Sequence, residues 1–138
     1  MKKIVTSLLL LGSFSMAVAE PLNPTPEPVD QDTMHSILTD LTDNLKAQDF
    51  ATWENRMVDF CEEKKSAYAC LFYANELAFN ADTVERVKKA AYYAEMSCEM
   101  GNGDGCMVRK SLDNQWAPLS KEKSKRYEKI VQKTYGGK

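Results

Sequence analysis

The chain has 138 residues, with 18 Lys and Arg against 20 Asp and Glu, and a formal net charge of −2. This length fits one domain, and the acidic balance argues against general nucleic-acid binding, which depends on neutralising phosphates with Lys and Arg. Basic residues gather at the end, where residues 121–138 hold seven of them and two acids. We interpret this segment as the solvated face of a terminal helix; contact with an anionic membrane surface or an acidic partner is the alternative.

The first 19 residues have the pattern of a cleaved secretory signal peptide. Two lysines precede the apolar run 4–11, and the small residues of 17–19 follow it. A retained membrane anchor would need about 20 apolar residues, whereas polar and small residues at 12–15 interrupt this run. We therefore expect a mature chain that begins at Glu20, lies in the periplasm or is secreted, and has no stable membrane insertion.

The segment 20–31 contains four of the five prolines. Proline removes a backbone donor and disfavours helix at the residue before it, so we predict an extended, poorly ordered lead-in that acts as a tether. A proline-rich docking peptide is the alternative. The remaining residues, 32–138, are predicted to form one helical repeat domain.

Apolar residues at helical spacing predict an all-α domain with no convincing strand. Asp49 and Ser120 are expected N-caps, and the third helix is expected to start at Ser66. Asp82 and Glu85 resemble a capping box, and Gly101 is the expected left-handed C-cap. The predicted helices are 33–47, 50–63, 66–79, 82–100, 105–115 and 121–134.

The same periodicity predicts which side chains face the core. The inward positions are Met34, Ile37, Leu38, Leu41, Leu45, Phe50, Trp53, Met57, Phe60, Cys61, Ala69, Cys70, Tyr73, Ala74, Leu77, Val84, Val87, Ala91, Tyr92, Tyr93, Ala94, Met96, Cys98, Cys106, Val108, Leu112, Trp116, Tyr127, Ile130, Val131 and Tyr135.

Two turns are bracketed by cysteines, one by Cys61 and Cys70 and the other by Cys98 and Cys106. The first cysteines of the two units are 37 residues apart and the second cysteines 36. A period of this size is typical of stacked helical repeats.

The residues of the second unit, 88–94 followed by 97–102 and by Gly105 and Cys106, resemble the Sel-one-like repeat, a relative of the tetratricopeptide repeat. The closer resemblance is to the cysteine-rich secreted bacterial proteins of this class, in which a disulfide closes each helical hairpin. The chain departs from the family after Cys106, where Arg109 and Lys110 replace apolar and small residues. The resemblance implies antiparallel hairpins of a short α-solenoid, with about one and a half to two repeats and capping helices at both ends.

Four cysteines in an exported domain are expected to form disulfides, because the compartment is oxidising. Three pairings are possible. We predict Cys61–Cys70 and Cys98–Cys106, because each pair flanks one turn and would close an antiparallel hairpin, while pairing between the two units remains the alternative.

The sequence contains no familiar catalytic signature. It lacks Gly-x-Ser-x-Gly, His-Glu-x-x-His and Cys-x-x-Cys, and its single histidine, His35, accompanies no nucleophile in a known motif. The glycine-rich segment 101–105 lacks the Gly-Lys-Ser/Thr ending of a phosphate loop and the terminal acid of a calcium loop. We therefore predict no catalytic residue, no cofactor and no metal.

The resemblance implies a non-enzymatic protein-binding module, and an inhibitor or immunity protein for a secreted toxic effector is its sharper form. Small periplasmic proteins of this class neutralise secreted phospholipases, and an acidic body would suit a basic effector. The alternatives are a cell-envelope hydrolase or β-lactam-binding protein, and a self-associating structural protein. The predicted partner-binding residues are Tyr68, Tyr73, Asn75, Tyr92, Glu95 and Arg109.

Overall fold

The computed structural model describes residues 26–136. The predicted signal peptide, 1–19, and the first half of the predicted lead-in, 20–25, lie outside these residues. Within them the fold is all-α, as predicted, with no β-strand, and none of the helices is long and apolar enough to cross a membrane. The helices are α1, Gln31–Leu41, continued by a π-helical turn, Thr42–Lys46; α2, Phe50–Val58, continued by a π-helical turn, Asp59–Glu63; α3, Ala67–Ala78; α4, Val84–Glu99; α5, Gly103–Ser111; and α6, Lys121–Tyr135.

Side-chain caps determine where the helices begin. Asp49 and Ser120 cap α2 and α6 as predicted, each accepting a hydrogen bond from the backbone N–H three residues on. Ser66, predicted as the first residue of its helix, is instead the N-cap of α3. Asp30 caps α1, so this helix begins two residues earlier than predicted. The predicted cap of α4 is wrong by one residue: Thr83, not Asp82, has the extended backbone and accepts the hydrogen bond.

The lead-in ends against the helical domain. Residues 26–30 lie outside any helix, as the prolines predict. The Glu27 carboxylate nevertheless accepts hydrogen bonds from the Ser66 hydroxyl and the Tyr68 N–H, at 2.8 and 3.0 Å. An acid at a helix N-terminus is electrostatically favourable, so Glu27 holds this part of the lead-in against the start of α3.

Helix α5 differs most from its predicted range of 105–115. It begins at Gly103 with Asn102 as N-cap, and it ends at Ser111. The Asn114 side chain accepts hydrogen bonds from the backbone N–H groups of residues 116 and 117, and such local bonds compete with helix formation. Trp116 therefore lies in a loop and is 45% exposed, where the sequence predicted a core position.

Consecutive helices run antiparallel. The Ser97 hydroxyl near the end of α4 donates to the Ala67 carbonyl at the start of α3. The Arg86 guanidinium near the start of α4 donates to the Leu77 carbonyl near the end of α3. The numbering along one helix rises as that along the other falls, which identifies α3 and α4 as an antiparallel pair.

Helices two apart in the chain run parallel. Lys89 Nζ lies 2.8 Å from the Glu54 carboxylate, and the Tyr93 hydroxyl lies 2.6 Å from the Glu62 carboxylate, so α2 and α4 share a direction. The bonds of Lys123 to Glu95 and of Tyr127 to Glu99 show the same for α4 and α6. Helices α2, α4 and α6 therefore lie side by side, joined by long polar side chains.

Both disulfides join the predicted partners. The Sγ atoms of Cys61 and Cys70 are 2.03 Å apart, as are those of Cys98 and Cys106. The first bond ties the π-helical end of α2 to α3, and the second ties the end of α4 to α5. All four cysteines are completely buried.

The core consists of a larger cluster formed by α1–α4 and a smaller one around the Cys98–Cys106 disulfide and α6. Most side chains that the sequence predicted to face the core are buried or partly buried. Four large side chains predicted to face the core are exposed, because they lie at helix ends, in the loop after α5, or on the outer side of α4. These exposed residues are Phe50, Tyr92, Trp116 and Tyr135.

Two glycines in α5 are required by close helix packing. A Cβ at Gly105 would lie 2.5 Å from the Ser97 hydroxyl and 2.9 Å from the Cys98 backbone nitrogen. A Cβ at Gly103 would lie 2.6 Å from the Thr134 hydroxyl of α6. Gly101 is different: its φ of 97° provides the left-handed end of α4, as predicted.

Replacing Gly105 by alanine should lower the free energy of unfolding by about 1–3 kcal/mol, because the new methyl group forces α4 and α5 apart. Urea unfolding monitored by circular dichroism measures this change. Met107→Ala, at an exposed position of the same helix, is the control and should shift stability by no more than about 0.5 kcal/mol. Equal stability of the Gly105→Ala variant and the wild type would contradict this account of the glycine.

Candidate functional site

The six predicted partner-binding residues do not form one surface. Asn75 and Tyr92 are exposed, Tyr68 and Glu95 are partly buried, and Tyr73 and Arg109 are buried. Asn75 lies two residues from both Tyr73 and Leu77, which face the core, so it is on the opposite side of α3. The two exposed candidates therefore lie on different sides of the molecule.

Tyr73 belongs to the interior, which corrects its assignment to a contact surface. Its ring packs against Trp53 and Tyr93, with centroid distances of 5.6 and 4.7 Å. Its hydroxyl donates to Glu54 Oε2 at 2.6 Å. Burial and this bond to the carboxylate raise the pKa of Tyr73 well above its ordinary value.

The assignment of Arg109 to the partner-binding surface is also wrong, because its side chain is only 5% exposed. Its Nε donates to the Glu95 carboxylate at 3.1 Å, and its Nη2 donates to the Pro118 carbonyl at 3.2 Å. Lys123 donates to the other oxygen of the same carboxylate. Arg109, which the repeat pattern did not predict, therefore lies inside the domain. With Glu95 and Lys123 it links α4, α5, α6 and the loop before α6.

Glu95 accepts the hydrogen bonds of both Arg109 and Lys123. Burial opposes its ionisation, but the hydrogen bonds from Lys123 and Arg109 outweigh burial and hold the pKa of Glu95 below its ordinary value. Glu95 is therefore a charged member of the structure that bridges two cations.

Tyr68 lies between α3 and α1. Its hydroxyl is 2.7 Å from His35 Nδ1, and its ring stands edge-on to the His35 ring. Burial is the main reason that the pKa of Tyr68 is raised. The only histidine of the chain thus pairs with a tyrosine at the edge of the domain.

Tyr92 occupies the centre of the surface formed by α2, α4 and α6. It is 58% exposed. It follows Lys89, which bonds to α2, by three residues, and precedes Glu95, which bonds to α6, by three residues. We call the solvent side of these helices around Tyr92 the three-helix face. Its other exposed α4 side chains are Glu85, Lys88 and Lys89.

The ring of Tyr92 contacts a buried, hydrogen-bonded tyrosine. Its ring meets the Tyr93 ring at 90° with a centroid distance of 5.0 Å. Tyr93 is 8% exposed, and its hydroxyl donates to the Glu62 carboxylate at 2.6 Å. Burial and this bond raise the pKa of Tyr93 far above its ordinary value. An exposed aromatic ring thus rests on a buried one whose polar end is fixed to a neighbouring helix.

Sequence reasoning missed the two carboxylates of α2 that accept these tyrosine hydroxyls, Glu54 and Glu62. Acids on an amphipathic helix usually face solvent, and the sequence contained no signal that their partners would come from α3 and α4. Burial raises the pKa of Glu54, but the hydrogen bonds from Lys89 and Tyr73 outweigh burial and bring it below its ordinary value.

Within residues 26–136, no three His, Cys, Asp or Glu side chains are placed to hold a metal ion. The glycine-rich segment contributes packing positions, Gly103 and Gly105, at the start of α5. The chain matches none of the family models, curated proteins or solved structures with which it was compared.

Replacing Glu95 by glutamine should lower the free energy of unfolding at pH 7 by about 1.5–3 kcal/mol, the range for hydrogen bonds to charged groups. The folded-state pKa of Glu95 lies below the unfolded one, so its contribution is complete above the unfolded value of about 4.3 and disappears as pH falls through the folded value. The difference in free energy of unfolding between the variant and the wild type should therefore disappear at acidic pH. Urea unfolding at several pH values tests this, with the exposed Glu85→Gln as control.

The raised pKa values of Tyr73, Tyr93 and Tyr127 predict an alkaline limit to stability. A raised folded-state pKa contributes stability that is complete below the unfolded value of about 10 and is lost as pH rises above it. In an absorbance titration, three of the six tyrosines should therefore ionise only as the protein unfolds. Tyr127→Phe should reduce this late phase by one tyrosine; ionisation of all six in the folded protein would contradict the prediction.

Proposed function

We propose that the protein is a non-enzymatic protein-binding module of the periplasm or the extracellular space, and that it binds its partner through the three-helix face. The observation that carries this proposal is the exposed ring of Tyr92 on its fixed support. Tyrosine is enriched among residues that dominate binding energy, since it brings a large contact area at a small cost in conformational entropy.

The polar groups around Tyr92 also suit a contact surface. Glu95 is bonded to Lys123, and Glu99 to Arg126, so these two carboxylates have cation partners from α6. The ring therefore has neighbours whose charges are compensated within the domain, and a partner that covers Tyr92 would not leave these acids buried without a counter-charge.

The repeat spacing and the two matching disulfides support a second part of the proposal, that the two closed hairpins are Sel-one-like repeats. Proteins built from helical repeats generally bind other proteins through an extended surface. Residues 20–120 contain nine basic and eighteen acidic side chains. This excess of acidic side chains suits a basic target. We therefore propose that the protein is an inhibitor or immunity protein for a secreted toxic effector.

Replacing Tyr92 by alanine should weaken partner binding by about 2 kcal/mol or more, which is the loss expected at a dominant interface residue. The mature protein with intact disulfides is used as bait against an envelope lysate, and the affinity of the purified partner is then measured by calorimetry. Tyr135→Ala removes an exposed tyrosine at the far end of α6 and should leave the affinity unchanged.

A partner that binds the Tyr92→Ala variant as tightly as the wild type would refute the three-helix face as the binding surface. Turnover of a β-lactam or peptidoglycan substrate by the purified protein would refute the non-enzymatic role.

A further inference from the structure

A second surface lies between α1 and α2, away from Tyr92. It is a groove of about 450 Å³. Arg56 of this groove and Glu54 of the three-helix side are two residues apart on α2, and therefore point about 200° apart. The residues that line the groove are Ile37, Asp40, Leu41, Asn44, Leu45 and Arg56.

The floor of the groove is apolar. Ile37, Leu41 and Leu45 are spaced four residues apart, so they follow one line along α1 and its π-helical turn. Leu41 and Leu45 pack against the larger core cluster from its edge. Ile37 is only partly buried and belongs to neither core cluster. This stripe thus extends the core onto the surface.

The walls of the groove carry two opposite charges without partners. The side chains of Asp40 on α1 and Arg56 on α2 form no hydrogen bond or ion pair within residues 26–136. The other arginines of the chain behave differently: Arg86 bonds to backbone carbonyls, and Arg109 and Arg126 bond to glutamates. Arg56 is therefore the arginine whose side chain is available to a partner.

We propose that this groove is the interface of a homodimer, in which α1 and α2 of a second copy dock against the same residues. A two-fold interface needs a patch that is complementary to itself. The groove has this property, because its acid and its base stand on opposite walls: Asp40 of each copy meets Arg56 of the other, and the two apolar stripes cover each other.

This inference does not depend on the proposed function. The groove and the three-helix face use opposite sides of α2, so a dimer formed through the groove leaves Tyr92 of both copies accessible. Such a dimer would present two identical binding surfaces to partners.

The first test is the mass of the mature, disulfide-bonded protein in solution, measured by sedimentation equilibrium. The wild type should be a dimer and Ile37→Lys a monomer with unchanged circular dichroism, because a charge is placed in the apolar contact. Phe79→Lys is the matched control: it places the same charge at a position that is 71% exposed and lies outside the groove, and it should remain a dimer.

The second test exchanges the charges. Asp40→Arg alone places arginine against arginine, and Arg56→Asp alone places aspartate against aspartate, so each variant should have a dissociation constant raised about a hundredfold or more. An equimolar mixture of the two variants should form heterodimers with wild-type-like affinity, since both contacts are then again between opposite charges.

A wild type that stays monomeric at about 1 mM, where even an interaction worth about 4 kcal/mol would be visible, overturns the proposal, whatever else occupies the groove. A dimer that persists in Ile37→Lys overturns it as well, because the copies then meet through another surface. A mixture of the charge variants that stays monomeric refutes the reciprocal pairing of Asp40 and Arg56.

Discussion

The contact between the rings of Tyr73 and Tyr93 joins two parts of the molecule that the disulfides close separately. One disulfide ties α2 to α3 and the other ties α4 to α5, but neither connects the two pairs. The tyrosine rings do so at a centroid distance of 4.7 Å, and both hydroxyls bond to acids of α2. This contact therefore helps to fix the relative position of α2, α3 and α4, together with the Ser97–Ala67, Arg86–Leu77 and Lys89–Glu54 bonds. It also holds Tyr93 beneath Tyr92.

The polar groups of the interior are arranged at boundaries between helices. A buried hydroxyl or guanidinium without a partner is costly, and here the partners come from helices distant in sequence. Tyr127 bonds to Glu99 as Tyr73 bonds to Glu54, and Arg109 bonds to Glu95. Each such bond is possible only when the helices are in register, so the polar pairs specify the alignment while the apolar side chains provide most of the burial.

The two surfaces of interest differ in their physical basis. The three-helix face presents one exposed ring, Tyr92, on a fixed base with charges compensated nearby. The groove between α1 and α2 presents an apolar stripe and two unpaired charges, Asp40 and Arg56. We propose contact with a different protein for the first surface and contact with an identical chain for the second.

The sequence by itself determined the helical class, the starts of α2 and α6 and the cysteine pairing, because periodicity, capping and a cysteine on each side of a short turn are local features. The sequence led to two incompatible predictions for Tyr92. Its choice as a partner-binding residue requires an exposed side chain, which it has, whereas its assignment to the core from helical periodicity is wrong. The tertiary structure decided that Arg109 and Tyr73 are internal, that Glu54 and Glu62 receive tyrosine hydroxyls, and that Gly105 is a packing position. These assignments depend on contacts between helices, and the energy of a polar or bulky group there is set by the neighbours that folding brings to it, which no local pattern specifies.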